Sequence, residues 1–317
     1  MRLYPNIAIV GATGLVGSTM LQVLNQRLPK ATIQLYASKK SAGKTVQING
    51  QKHIVKELTK DNLPIGCDII LMSAGSDVSS QFVPLFRQVG VTTIDNSSCW
   101  RKDDKVPLIV PEVNATALKV HDNIVANPNC STIQCVVALN QIQKIFGLKR
   151  IIYNTYQAVS GAGQQALIQL NQKKRYHDDI IPQIDKFAED DYTLEEHKMI
   201  FETNKIFDSK ILITATAVRV PVQFGHSVSI NFQLAQKANL SDVQHALASD
   251  KNLIFMQGSD YPTAALARGK DNVFVGRLRQ DKSEDNCFEM WVVADNIRKG
   301  AATNAVQIAQ LLLKDQN

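Results

Sequence analysis

A chain of 317 residues, 44% hydrophobic and 20% charged, is long enough for two domains. Its net charge of +6 comes from scattered lysines and arginines with few aromatics among them, which suits anionic small molecules and argues against nucleic acid. No apolar run approaches the ~18 residues that cross a bilayer, and Met1-Arg2-Leu3-Tyr4-Pro5 leads into a strand with no signal or transit peptide. The five irregularly spaced cysteines form neither a disulfide framework nor a zinc-ligand pattern, so a cytoplasmic protein without a metal or a membrane is expected.

Ile7-Ala8-Ile9-Val10 predicts a short strand running into Gly11-Ala12-Thr13-Gly14-Leu15-Val16-Gly17, then a helix burying Met20, Leu21, Val23 and Leu24. Strand, glycine turn and helix in that order is the setting of a dinucleotide fingerprint. Glycines let the backbone approach a pyrophosphate, which then sits on the helix N-terminus. The G-x-x-G-x-x-G spacing is a variant more frequent among enzymes that prefer the phosphorylated cofactor. The next strand, Ile33-Gln34-Leu35-Tyr36, leads into Ala37-Ser38-Lys39-Lys40-Ser41-Ala42-Gly43-Lys44. Where an NAD-specific protein carries an acid for the ribose hydroxyls, this turn has hydroxyls and cations, which suit a 2′-phosphate. NADP is the expected cofactor.

Residues 68–75, ending Ser73-Ala74-Gly75, and residues 91–95, leading to Asn96-Ser97-Ser98-Cys99-Trp100-Arg101, predict buried parallel strands. Their loops lie at strand carboxyl ends, where open α/β sheets bind ligands. Arg101 beside two serines is either an anion clamp or a surface arginine paired with Asp103 or Asp104. Residues 108–113 and 123–126 are expected to complete the run of strands. In Asn127-Pro128-Asn129-Cys130, a proline turn precedes a helical pattern in which Ile133, Val136, Val137, Leu139, Ile142, Ile145 and Phe146 predict one buried face. Cys130 lies in the first turn, where unpaired N–H groups and the helix dipole favour a thiolate, the nucleophilic form. The alternative is a small apolar plug, and this stretch alone does not choose between them.

Beyond that helix the pattern changes. A longer alternating strand over residues 150–157 ends at Ser160-Gly161-Ala162-Gly163, and a polar helical region is expected through Glu202. Strands are predicted over residues 210–222, 228–234 and 288–294, and a last helix over 299–313. The fold class is therefore α/β, a Rossmann-like NADP-binding domain followed by an α+β, largely antiparallel-sheet domain. Arg219 closes one strand, and His226 follows a Gly-containing turn. A histidine relays protons near neutral pH, although a lone one is more often structural. Glu195 and Lys198 share a helix face, as part of a site or as a solvated ion pair. His197 has no second ligand at metal spacing and is given no role.

A thiol adds to an aldehyde to give a thiohemiacetal, whose hydride can leave to a nicotinamide, and the resulting thioester is open to phosphate. At this point the sequence resembles aspartate-β-semialdehyde dehydrogenase over essentially the whole chain. The co-linear pieces are residues 11–17, 37–43, Asp95-Asn96-Ser97-Ser98, Asn127-Pro128-Asn129-Cys130, Gln157 with Ser160-Gly161-Ala162-Gly163, 195–198, 219–227, Val275-Gly276-Arg277-Leu278-Arg279, and 295–302. The resemblance implies NADPH-dependent reduction of β-aspartyl phosphate to the semialdehyde and phosphate, on the route to lysine, threonine, methionine and diaminopimelate. It implies Cys130 as nucleophile, His226 as acid/base and Gln157 as the group orienting the intermediate. Arg219 would bind the substrate carboxylate, Glu195 its amino group, and Arg101 and Lys198 the phosphate, with Asn129 beside the substrate. It implies a cofactor site of Gly11, Thr13, Gly14, Leu15, Val16, Ser38, Lys40, Ser41, Ser73, Ala74, Gly75, Ser160, Gly161 and Asn296. It also implies that residues 1–128 with 300–317 form the NADP-binding domain and 129–299 the catalytic and dimerisation domain, with a homodimer or tetramer assembled through the latter.

The departures are small. Lys40 stands where the family often has Arg, Cys99 replaces a small or aromatic residue, and Tyr261-Pro262-Thr263-Ala264 lacks a second proline. The competing readings are another acyl-phosphate reductase, such as the N-acetyl-γ-glutamyl-phosphate enzyme, and a non-catalytic NADP-binding subunit.

Overall fold

The computed structural model describes residues 4–48 and 50–314, so Met1-Arg2-Leu3 of the N-terminal stretch read above lies outside the described residues. The chain forms two compact units: one runs through Pro128 and resumes at Ala301, and the other is Asn129–Gly300.

The first unit contains β1 (Asn6–Val10), α1 (Leu15–Arg27), β2 (Thr32–Ala37), β3 (Thr45–Ile48), β4 (Gln51–Glu57), β5 (Ile69–Met72), α2 (Ser76–Gln88), β6 (Thr92–Asp95), α3 (Pro111–Asn114) and β7 (Ile124–Ala126). The sheet order is β3-β4-β2-β1-β5-β6-β7, parallel except for the edge strand β3. Strands β5 and β6 are buried along their whole length; β5 accordingly reads as a continuous apolar run, whereas β6 buries Thr92, Thr93 and Asp95 beside Ile94. Strand β1 pairs β2 on one side and β5 on the other, so the strand order reverses there, and it is beyond the carboxyl ends of strands at such a reversal that open α/β sheets bind ligands. Gly11, at φ +80°, meets Ser73 at that point, and a Cβ on Gly11 would collide with the Ser73 carbonyl.

Gly17 packs equally closely, since its Cβ would strike the Gly11 carbonyl. Gly17→Ala is therefore expected to cost about 1–3 kcal/mol by overpacking rigid backbone, read as a lower Tm together with weaker dinucleotide binding. An unchanged Tm and unchanged affinity would show that the turn tolerates a side chain.

The sequence missed the β3–β4 hairpin because its polar residues hide the alternation. Residues 108–113 are not a strand. Leu108 makes a single parallel bridge to Ala126, and Pro111 then opens α3. A proline has no N–H for a central ladder, whereas its fixed φ suits the first helical position.

The second unit contains α4 (Cys130–Phe146), β8 (Leu148–Gln157), α5 (Gln164–Asn171), α6 (Leu194–Phe207), β9 (Leu212–Arg219), β10 (His226–Leu234), α7 (Leu240–Ser249), β11 (Leu253–Phe255), α8 (Ala264–Ala267), β12 (Val273–Gln280) and β13 (Cys287–Ala294). The sheet order is β11-β12-β13-β10-β8-β9. Its central pairings are antiparallel, and the outer two, β11–β12 and β8–β9, are parallel. Tyr153, Ile230, Phe232, Phe288 and Val292 are fully or almost fully buried. Helix α4 packs against β8, β10, β12 and β13 and also against α6 and α7. It is consequently buried all round from Ser131 to Asn140, and not on one face as its apolar spacing predicted.

The polar region through Glu202 is not one helix. After α5, residues 172–193 run irregularly, with left-handed backbone at Lys173, Tyr176, Asp185 and Asp191, and Ile181 bridges to Arg219 at the sheet edge. A capping box between Thr193 and Glu196 then starts α6. The chain returns to the first unit as α9 (Asn304–Lys314), preceded by a π-helical turn, Arg298–Thr303, where a regular helix was predicted. No helix among the described residues is long and apolar enough to cross a membrane.

Candidate active site

In the first unit, α1 and α2 both begin on glycine N-caps, Gly14 and Gly75, with no side-chain cap. Their N-terminal dipoles and backbone N–H groups are thus left to an anion, and nothing lies within 4 Å of where a Gly75 Cβ would be. Thr13 Oγ1 donates to Ser41 Oγ at 3.1 Å, tying the glycine turn to the loop after β2. Ser38, Lys39 and Lys40 are exposed on that loop, and Ser73 and Ala74 are half-buried after β5. Leu15 and Val16 are half-buried in the first turn of α1, with Val16 packed on the core. The close backbone approach at Gly11 and the two uncapped helix starts fit a dinucleotide.

Arg101 is buried in the same unit, and its Nη2 donates to the Asn96 carbonyl at 2.9 Å. Asn96 Oδ1 accepts from Asn127 Nδ2 at 2.6 Å, and Asn127 Oδ1 accepts from Asn304 Nδ2 at 2.7 Å. A chain of side-chain amides, buried at Asn304 and Asn127 and half-buried at Asn96, therefore runs from α9 to the Arg101 loop. Asp95, at the base of the loop, accepts from the Ser97 hydroxyl at 2.6 Å. Burial nonetheless pushes its carboxyl above the usual range, against the Ser97 bonds and the Arg101 charge.

In the second unit, Cys130 is the first residue of α4. Asn129 caps the helix, its Oδ1 accepting the N–H groups of Ser131 (2.9 Å) and Thr132 (3.3 Å). The Asn129 Nδ2 donates to Glu195 Oε1 at 2.9 Å, and its backbone N–H donates to Glu202 Oε2 at 2.6 Å. Gln157, at the end of β8, donates to the same Glu195 oxygen at 3.1 Å. Lys198 Nζ donates to Glu195 Oε2 at 3.3 Å and to Asp185 Oδ2 at 2.8 Å. Burial opposes the Lys198 charge, but Glu195 and Asp185 outweigh it and raise its pKa. Glu195 is buried, so the solvated ion pair that its spacing allowed is not what forms.

A second cluster centres on Ala158, directly after β8. Its carbonyl accepts from Arg219 Nη1 at 2.7 Å and its N–H donates to His226 Nδ1 at 2.9 Å. A Cβ on Gly161 would sit 3.0 Å from Arg219 Nη1 and 3.3 Å from His226 Nε2. Burial lowers the Arg219 pKa, partly offset by Glu195 and by Cys130, which links the two clusters electrostatically. Ser160 and Asn296 are buried and hydrogen-bonded to each other (3.0 Å), and Asn296 Oδ1 also accepts the Gly225 N–H at 2.9 Å. His197 pairs with Asp190 at the surface.

Four contributors escaped the sequence reading: Glu202, Asp185, Ala158 and Gly300. Glu202 carried a signal, since 195, 198 and 202 fall on one helix face at i, i+3 and i+7. Gly300 abuts the cysteine, as a Cβ there would stand 2.9 Å from Cys130 Cβ. Asp185 and the Ala158 peptide act across long sequence separations and carried none.

Residues 6–121 match the family model described as semialdehyde dehydrogenase, NAD binding domain, and residues 139–299 that described as semialdehyde dehydrogenase, dimerisation domain. The chain is thus an oxidoreductase of the semialdehyde dehydrogenase class. It is 47% identical to the aspartate-semialdehyde dehydrogenase of Aquifex aeolicus over 98% of both chains. Its fold matches the crystal structure of aspartate semialdehyde dehydrogenase II of Vibrio cholerae complexed with ASA, with a TM-score of 0.96, 41% identity and 100% of each chain covered. It also matches the Candida albicans aspartate semialdehyde dehydrogenase with NADP, with a TM-score of 0.81, 25% identity and 99% of each chain covered. The chain belongs to the aspartate-semialdehyde dehydrogenase family.

Proposed function

We propose that this chain interconverts aspartyl phosphate with aspartate semialdehyde and phosphate, using NADP(H), and runs in the reductive direction in the synthesis of lysine, threonine, methionine and diaminopimelate. The observation that carries the assignment of roles is the bonding around Cys130. Its helix start is held by Asn129, and Asn129 is held in turn by Glu195 and Glu202. Cys130 serves as nucleophile, and Gln157 and Asn129 orient the intermediate. Glu195 receives the substrate amino group and Arg219 its carboxylate. Lys198 and Arg101 receive the phosphate. His226 presents its imidazole to the reacting carbonyl.

The nicotinamide cofactor supplies or accepts the hydride when bound. Gly11, Thr13, Gly14, Leu15, Val16, Ser73, Ala74 and Gly75 would hold its phosphates and ribose, and Ser38, Lys40 and Ser41 its 2′-phosphate. Ser160, Gly161 and Asn296 complete the cofactor set, with the mutual bond of Ser160 and Asn296 shaping their turn. A free amino group on the substrate gives Glu195 a partner, which favours an aspartyl over an N-acetylated substrate. The protein is proposed to act in the cytoplasm as a homodimer paired through its second unit, with a tetramer as the larger assembly that a measured solution mass would reveal.

Phosphate-dependent reduction of NADP by aspartate semialdehyde is the direct test, and absence of that activity, or activity on N-acetylglutamate semialdehyde instead, would overturn the assignment. For the cofactor, replacing Ser38, Lys39 and Lys40 together with alanine is expected to raise the KM for NADP. Removing one charge-assisted hydrogen bond to the 2′-phosphate costs roughly 1.5–3 kcal/mol, or about 10- to 150-fold. The KM for NAD should change little. An unaltered NADP/NAD ratio would place the 2′-phosphate elsewhere.

A further inference from the structure

Two amide side chains are fully buried in the first unit, whose core also holds Ile109, Val125, Ala302, Ala305 and Val306. Asn304 opens α9, and Asn127 directly follows β7. Asn304 Nδ2 donates to the Ile109 carbonyl at 2.9 Å and to Asn127 Oδ1 at 2.7 Å. Asn127 Nδ2 donates to Asn96 Oδ1 at 2.6 Å and to the Ala301 carbonyl at 3.3 Å. An amide nitrogen has two hydrogens, so both donors are fully used. The Ile109 and Ala301 carbonyls only accept, which dictates the end that each amide turns toward them. Flipping Asn304 or Asn127 would set its oxygen against one of those carbonyl oxygens. The chain therefore has a fixed polarity and ends by presenting an N–H to Asn96.

Asn96 is held at three points. Its N–H donates to the Met72 carbonyl at the end of β5 at 2.9 Å, its side chain accepts from Asn127, and its carbonyl accepts from Arg101 Nη2 at 2.9 Å. The Asn127 N–H also donates to the Asp95 carbonyl at 2.8 Å, which fixes the residue before it. Replacing both buried amides by apolar groups of the same shape would cost little stability, because the net gain from a buried hydrogen bond is small. What a fully satisfied polar network adds is one defined arrangement of the groups at its end. The charged group at that end is Arg101.

We infer that Asn304 and Asn127 are positioning residues for the phosphate step. Through Asn96 they fix the carbonyl on which the Arg101 guanidinium rests, so the start of the C-terminal helix sets where the phosphate is received. This rests on Arg101 receiving the phosphate. Neither asparagine touches the substrate. Their effect comes through placement, and a misplacement of about 1 Å at an oriented group costs up to ~100-fold.

The test uses phosphate-dependent reduction of NADP by the full-length protein. Asn304→Leu is expected to raise the phosphate KM by about 5- to 50-fold and to leave the semialdehyde KM within about 2-fold of wild type. A merely structural role would weaken both substrates and would persist without Arg101, so the deciding measurement is a double-mutant cycle. In an Arg101→Leu background, Asn304→Leu should change the phosphate KM by less than about 2-fold, since the group it positions is gone. The full effect in that background, or an equal rise in both KM values, would overturn the inference. Because leucine leaves two buried acceptors without a donor and can disturb folding, Asn304→Ser gives a second answer. Serine adds no bulk, suits a helix start and keeps one donor, so the phosphate KM should rise by about 3- to 10-fold with the same dependence on Arg101. A wild-type phosphate KM in Asn304→Ser, beside a raised one in Arg101→Leu, would overturn the positioning role alone. A wild-type phosphate KM in Arg101→Leu itself would remove Arg101 from the phosphate site and the positioning role with it, so the two failures are distinguishable.

Discussion

Cys130→Ser is expected to abolish phosphate-dependent turnover while leaving NADP affinity within a few-fold of wild type. The nucleotide turn belongs to the first unit and the cysteine to the second, so the substitution removes the covalent step and not the dinucleotide cradle. Loss of a catalytic nucleophile costs roughly 10⁴-fold or more in kcat. Serine should fold in place of Cys130, because the helix start is held by the Asn129 side chain and not by the thiol. The other four cysteines form the control. Cys67, Cys135 and Cys287 are buried, and burial pushes the Cys135 thiol well up. Cys99 is raised by burial and by the Asp95 carboxylate, the reverse of what a nucleophile needs. Their serine variants should keep substantial activity. Near-normal turnover by Cys130→Ser, measured beside NADP binding by fluorescence, would end the thiol mechanism.

The second large effect is expected at Arg219. The substrate presents two anions, a carboxylate and a phosphate, and one planar guanidinium forks onto only one oxyanion group at a time. Arg219→Leu is expected to raise the semialdehyde KM by about 10- to 150-fold, the cost of one charge-assisted hydrogen bond. It should also lower kcat, because Arg219 Nη1 holds the Ala158 carbonyl and the N–H of the same residue donates to His226 Nδ1. Arg101→Leu should raise the phosphate KM instead, since it leaves the Ala158 peptide untouched. Arsenate in place of phosphate should reproduce the Arg101 effect and not the Arg219 effect. Equal weakening of both substrates by each substitution would show that the arginines do not divide the work.

Much of the fold was legible because it is written locally. The glycine turn of residues 11–17 declares itself through backbone needs that only glycine meets, and the asparagine before Cys130 is the residue type that caps a helix. The absence of an acid after β2 is likewise a statement about a single loop. Where residues of both signs and many polar side chains intervene, as in β3, β4 and residues 172–193, the local signal is weak, and the pairing partner decides the structure. Residues 108–113 look like a strand by apolar content, yet Pro111 gives a helix start because no ladder can use it.

The sequence by itself determined the class of fold, the dinucleotide turn, the thiol at a helix start, and the set of polar residues from which a site could be built. Only the tertiary structure decided that α4 is buried on all sides, that Glu202 and Glu195 hold the turn before Cys130, and that Asp185 engages Lys198. It alone decided that Gly300 packs on the cysteine and that the backbone of Ala158 bonds both Arg219 and His226. The physical reason is range. Helix starts and glycine turns depend on neighbours within a few residues, whereas a carboxylate 73 positions away or a peptide 68 positions away reaches its partner only once the sheet and helices have packed.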